Sequence, residues 1–133
     1  MKVQCNNNTG INLLEGYLDP AGGIDRAIVF DVTPGQIYSV YGVSLHSGQV
    51  WYYLCGDLHP YYPVLYPAIL FSLVNKTLSK YWIFEYTPQH PDHQALFTFE
   101  DWASDPYFYD RLTDYDENAL VVFKKYKELI DIE

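Results

Sequence analysis

The chain has 133 residues, 49 % of them hydrophobic and 19 % charged, which supplies one domain with a full core and excludes intrinsic disorder. Seventeen acids against eight Lys and Arg leave a formal net charge of −9, which disfavours nucleic acid and anionic membranes and favours a basic partner. Fourteen tyrosines, seven phenylalanines and three tryptophans add a surplus of rings. Tyrosine pairs an apolar body with a polar tip and is enriched where protein surfaces meet.

The first half reads as strands. Met1–Cys5 forms a short starting strand, followed by the turn-rich Asn6-Asn7-Asn8-Thr9-Gly10 and a loop through Leu18-Asp19-Pro20-Ala21-Gly22-Gly23. Ala27–Val32 is expected as a strand ending in the turn Thr33-Pro34-Gly35. Gln36–Leu45 alternates as one strand, with Ile37, Ser39, Tyr41, Val43 and Leu45 on one face. His46-Ser47-Gly48-Gln49 closes a hairpin into Val50–Cys55. Val64–Tyr66, a helical turn over Pro67–Phe71, an extended Ser72–Val74 and a strand Lys80–Tyr86 follow.

The second half turns helical. After the loop Thr87–His93, Ala95–Phe97 is a short strand and Thr98 is expected to cap Phe99–Ala103. Asp105-Pro106 has the form of an N-cap followed by proline in the first turn, predicting a helix over Pro106–Leu112. Asp114 or Asp116 caps a last helix from Glu117 to about Ile130, whose apolar stripe is Val122, Tyr126 and Leu129 flanked by Phe123 and Ile130. The fold class is therefore α+β: a small bent antiparallel sheet or SH3-like barrel over 1–86, with helices over 98–131 packed on it in one domain.

No catalytic constellation emerges, and the chain reads as a non-enzyme needing no cofactor. His90-Pro91-Asp92-His93 lies in a proline-rich loop without the paired spacing of a zinc site. Asp114-Tyr115-Asp116-Glu117-Asn118 starts like a calcium loop, but Ala119 stands where glycine is required and Lys125 where a bidentate acid is required. Cys5 and Cys55 lie among strand residues and read as inert buried thiols, unpaired. No stretch is long and apolar enough for a membrane span, and the amino terminus lacks a signal-peptide core, so a soluble cytoplasmic protein is expected.

What stands out is the segment from Glu100 to Glu117. It gathers Glu100, Asp101, Asp105, Asp110, Asp114, Asp116 and Glu117 against Arg111, interleaved with Trp102, Tyr107, Phe108, Tyr109 and Tyr115. Such a run is either a solvated face with its rings turned inward or an acidic docking patch. In the second case acids speed the approach of a basic protein and rings anchor it. Glu100, Asp101, Asp105, Tyr107, Tyr109, Asp110, Asp114 and Asp116 are the partner-binding candidates. Tyr52-Tyr53 and Tyr61-Tyr62, around the Cys55–Pro63 corner, form a second group.

The run Thr33-Pro34-Gly35-Gln36-Ile37-Tyr38-Ser39-Val40-Tyr41-Gly42, behind the strand Lys2-Val3-Gln4-Cys5, resembles the opening of small SH3-like barrel proteins. Several such bacterial proteins, acidic and rich in Tyr and Trp, are similar to immunity proteins of polymorphic-toxin and contact-dependent growth-inhibition systems. The resemblance spans roughly 1–86; the Asn12–Gly23 insertion departs from a compact barrel, and no functional residue transfers. It implies a cytoplasmic protein that binds a cognate toxin domain, commonly a basic nuclease, and blocks its active site or substrate path. The alternative is an SH3-like module recognising a peptide through its tyrosines, and a third option is a small enzyme or sugar binder using the rings as a stacking platform.

Overall fold

Successive residues of a strand point to opposite faces, and in this chain that alternation feeds two cores. In the computed structural model, which describes residues 1–91 and 93–133, Tyr52 and Tyr53 are both buried on β4 (Gln49–Leu54). Tyr52 joins Val3, Val40, Leu54, Tyr66, Leu70 and Phe71, whereas Tyr53 joins Tyr41, Leu96, Phe99, Trp102, Phe108 and Phe123. Asp92, weighed above as a loop ligand, lies outside the described residues.

The first core lies between two antiparallel sheets. A three-stranded sheet runs in the order β2 (Ile37–Ser39), β1 (Lys2–Cys5), β6 (Phe71–Asn75). A five-stranded sheet runs β5 (Val64–Pro67), β4, β3 (Gly42–His46), β8 (Ala95–Phe99), β7 (Trp82–Tyr86). The second core lies between the larger sheet and three helices, α1 (Glu100–Ala103), α2 (Phe108–Thr113) and α3 (Glu117–Asp131). The α+β class holds, but the strands do not close into a barrel, so the SH3-like closure is not realised.

The expected strand Gln36–Leu45 is broken in two. At Val40 the backbone N–H donates to Met1 O at 3.1 Å, and at Tyr41 it donates to Tyr53 O at 2.9 Å. The chain thus passes from one sheet to the other within two residues, sending Val40 into the first core and Tyr41 into the second. The hairpin after it forms as expected: His46 pairs with Gln49 across Ser47 (φ 50°) and Gly48 (φ 74°). Two positive φ values in a two-residue loop make a type I′ turn, whose twist suits the flanking strands.

The expected strand Ala27–Val32 does not form: Ala27 lies in a turn and Asp31 in a bend, and an isolated bridge pairs Val29 with Thr9. Phe30 and Val32 are buried, and their backbone is served by Asn8, which accepts from Phe30 N and donates from Nδ2 to Val32 O. Alternation reported burial here, not a ladder. Thr98 is likewise a strand residue, with no exposure and its hydroxyl donating to Tyr41 O at 2.8 Å, so it caps nothing. Phe99 occupies the N-cap position of α1.

Asp116 rather than Asp114 caps α3, its Oδ1 accepting from Ala119 N at 2.9 Å. The centre of the α3 stripe is Ala119, Phe123 and Ile130, with Val122, Tyr126 and Leu129 half-buried beside it. Centre and flank are exchanged relative to expectation because Phe123 meets the Tyr41 ring edge-on at 5.4 Å. Cys5 packs in the first core and Cys55 against the second, and both are free thiols. Burial pushes the Cys55 thiol up to about 12, which removes it as a nucleophile at neutral pH.

Candidate functional site

The acidic segment is a chain of short structural devices, and each assigns its side chains to core or solvent. Phe99 ends β8 fully buried and stacks on Tyr126 at 4.1 Å, so α1 starts against the sheet with Glu100 and Asp101 outward in its first turn. Acids there suit the positive end of a helix. Asp101 also accepts from the Tyr126 hydroxyl at 3.0 Å. Trp102 is buried and lies edge-on to Tyr53 at 4.6 Å.

Asp105 makes the turn into α2. Its Oδ1 accepts from Tyr107 N at 2.9 Å and its Oδ2 pairs with Arg111 at 2.7 Å, which holds the carboxyl below its usual range. The helix itself starts two residues later than expected, at Phe108, because Pro106 and Tyr107 complete the turn first. Tyr107 and Tyr109 part company here. Tyr107 is 68 % exposed, whereas Tyr109 lies flat on Trp102 at 5.5 Å and donates its hydroxyl to Pro63 O at 2.8 Å. Phe108 is buried, so Trp102, Phe108 and Tyr109 face inward and only Tyr107 and Tyr115 of the five interleaved rings look out.

The Tyr109–Pro63 bond has a larger consequence: it fastens the Cys55–Pro63 corner to α2. Of the second aromatic group, Tyr52 and Tyr53 are buried in the two cores, and Tyr62 is set against Tyr115 of the acidic segment. Tyr62 meets Tyr115 edge-on at 5.7 Å, and His59 stacks over Tyr62 at 6.3 Å. Burial, then the neighbouring Tyr115, raises the Tyr62 phenol above its ordinary value. Around them Leu58 (77 %), Tyr61 (65 %) and Tyr115 (55 %) are exposed, and Asp110, Asp114 and Glu117 stand outward on the adjoining α2 and α3 ends.

Tyr115 holds an unusual backbone. Its N–H donates to Leu112 O and that of Asp116 donates to Arg111 O, the paired closing bonds of a Schellman turn. The residue at that turn sits in the left-handed region, here at φ 60°, where glycine is the ordinary choice. A bulky side chain there costs about 1–2 kcal/mol. The effect is to lift the ring off the end of α2 and set it beside Tyr62.

The corner is rigid for reasons no local pattern announced. Asp31 Oδ2 accepts from Leu58 N at 2.9 Å, and Asp57 accepts from both Thr33 Oγ1 at 2.6 Å and the Tyr38 hydroxyl at 2.8 Å. Gly56 sits where a Cβ would run into the Tyr66 hydroxyl and Asp31. Among the described residues no three His, Cys, Asp or Glu side chains converge as metal ligands; His90 and His93 stack at 4.1 Å, with Thr87 Oγ1 3.1 Å from His93 Nδ1.

Of the eight candidates, Asp105 and Asp116 serve turns and caps, Asp101 holds Tyr126, and Tyr109 is a strut. Glu100, Tyr107, Asp110 and Asp114 remain turned to solvent. Leu58 and Tyr61, outside that set, are exposed on the corner whose Tyr62 meets Tyr115. No helix among the described residues is long and apolar enough to cross a membrane. No family model, curated protein or solved structure matches the chain.

Proposed function

We propose that this protein acts by contact, as an immunity protein whose acidic, tyrosine-bearing corner docks onto a basic toxin domain and neutralises it, most simply a nuclease. The observation that carries the reading is the corner itself. Leu58 and Tyr61 stand exposed on a braced corner whose Tyr62 meets the exposed Tyr115, and Asp110, Asp114 and Glu117 are exposed on the adjoining helix ends. Tyrosines on a rigid backbone lose little conformational freedom on binding, which makes them efficient anchors. Surrounding carboxylates speed association with a cationic surface and make it sensitive to salt. The left-handed Tyr115 supports the same view, because backbone strain that a glycine would relieve concentrates at functional positions.

The test is to mix the purified protein with the product of the adjacent gene. Co-elution that weakens as salt rises, and survival of cells expressing that neighbour, are expected. Tyr115→Asn combined with Tyr61→Ala should lose both while leaving the far-ultraviolet spectrum unchanged. Absence of co-elution and of rescue refutes the reading.

A further inference from the structure

The two sheets end in β2, β6, β5 and β7. An edge strand presents unpaired main-chain donors and acceptors, and proteins blunt it by shortness, proline, lysine or a bulge. Three of these edges are blunted. β2 has only three residues, the β1–β6 ladder shifts register between Lys2 and Val3, and β5 ends in Pro67. β7 is not. Its five residues, Trp82–Tyr86, pair with β8 without a shift and contain no Pro, Lys or Arg.

The ladder shows which groups point outward. Thr87 N donates to Gln94 O at 2.8 Å, one step beyond the Tyr86–Ala95 pair. Bonded and non-bonded pairs alternate in an antiparallel ladder, so Glu85–Leu96 and Ile83–Thr98 are the next bonded pairs. Trp82, Phe84 and Tyr86 therefore turn their main chain away from β8. Trp82 N agrees, donating to Ser79 O at 3.2 Å instead of to β8. The side chains of these three residues share one face. On it a cross-strand row runs Tyr52, Val43, Phe97, Phe84, from 8 % exposed at Tyr52 to 55 % at Phe84. Phe84 packs on Phe97 at 4.8 Å on its inner side only, and Tyr86 is 65 % exposed.

Charge selects the occupant. In a chain of net charge −9, residues 76–91 carry Lys76 and Lys80 against Glu85 alone. A basic partner is disfavoured there, and two copies of the chain repel least there. We propose that β7 pairs antiparallel with β7 of a second copy, joining two five-stranded sheets into one. A twofold axis at Phe84 sets Phe84 opposite Phe84 of the second copy and Trp82 opposite its Tyr86. Each copy then donates Phe84 N–H to the facing Phe84 carbonyl and Tyr86 N–H to the facing Trp82 carbonyl. The rings of Phe84, Trp82 and Tyr86 meet on one face and extend the row. Sliding the pairing one way would set Glu85 against Glu85, a like-charge pair that destabilises a sheet; sliding it the other way would leave Tyr86 unpaired. β5, which follows the docking corner, forms the opposite edge of the sheet, so both corners stay outside the junction. The inference stands apart from the docking reading.

The test is sedimentation equilibrium of the purified protein over a range of concentrations, with and without added salt. A monomer–dimer equilibrium is expected, and salt should tighten it by screening the repulsion between two acidic molecules, the reverse of its effect on a basic partner. Phe84→Lys should weaken the dimer by at least about tenfold. Amide exchange of the wild type provides a second measurement, which decides alone if that variant does not fold. The Phe84 and Tyr86 amides should exchange at least about tenfold more slowly in concentrated than in dilute solution, whereas those of Ile83 and Glu85, bonded to β8, should not change. A monomer at every concentration overturns the proposal. So does a dimer that salt weakens, that Phe84→Lys leaves intact, or that leaves Phe84 and Tyr86 exchange unaltered. Growth beyond two copies also overturns it, because a twofold pairing uses up the edge.

Discussion

Removing one hydroxyl at Tyr41 should loosen the junction of both sheets with α3. Tyr41 is 3 % exposed and sits where the chain crosses between sheets. Its hydroxyl donates to Asp131 Oδ1 at 2.6 Å, while Lys127 Nζ lies 2.7 Å from Oδ2 and 5.5 Å above the Tyr41 ring. From the small sheet, Lys2 Nζ donates to Ser39 Oγ at 2.6 Å and to Asp131 O at 2.9 Å. A hydrogen bond to a charged group contributes about 1.5–3 kcal/mol. The Asp131 side chain keeps 34 % of its accessibility, so water can replace the phenol, and the lower end of the range applies.

Tyr41→Phe should therefore cost about 1.5 kcal/mol in urea unfolding at pH 7, with unchanged m-value. A double-mutant cycle with Asp131→Asn should return a coupling of about 1 kcal/mol. The acid limb gives a further check. Burial opposes ionisation of Asp131, but the bonds from Lys127 and Tyr41 outweigh it and leave the carboxyl below its ordinary value. A lowered carboxyl contributes its stability above the unfolded value, about 3.9, and loses it as pH falls through the folded one. The gap between wild type and Tyr41→Phe should close below that point. At the alkaline end burial, then Asp131, holds the Tyr41 phenol far above its ordinary value. Its ionisation favours the unfolded chain, so stability should fall above about pH 10 and fall less steeply in the phenylalanine variant. A coupling below about 0.3 kcal/mol, smaller than the usual additivity error, would refute the network.

Tyr115→Asn exchanges relief of the left-handed backbone, about 1 kcal/mol, for loss of the Tyr62 ring contact, about 0.5–1.5 kcal/mol. Its thermal midpoint should stay near wild type while partner affinity, by titration calorimetry, falls at least about tenfold. Ser47→Asn places the preferred Asn-Gly pair in the type I′ turn and should raise the urea midpoint, by about 0.5 kcal/mol in stability. Asp116→Ala removes the α3 cap and should cost about 1 kcal/mol, with early fraying of 117–120 visible by amide exchange.

Much of this architecture is legible residue by residue. The His46–Gln49 hairpin follows from turn chemistry between two apolar runs, and α3 follows from a capping aspartate, a first-turn acid and a 3.6-residue apolar stripe. The α+β class follows from the order of those signals. Less legible is anything settled by a partner distant in the chain. Gln36–Leu45 carries one unbroken alternation, yet Met1 and Tyr53 take its backbone at successive residues and divide it between sheets. Thr98 is a good cap by type, and becomes a strand residue because Tyr41 O is the acceptor it meets.

The candidate surface divides along the same line. Composition and charge alone determine that the chain carries excess negative charge and more rings than one small core can hide, because both are sums over residues. Which carboxylates are occupied as caps, which tyrosines become struts, and that 58–62 joins 114–116 were decided only by folding. Those outcomes depend on contacts such as Tyr109 to Pro63, between residues far apart in sequence, and hydrophobic periodicity reports how deeply a residue is buried without saying against what.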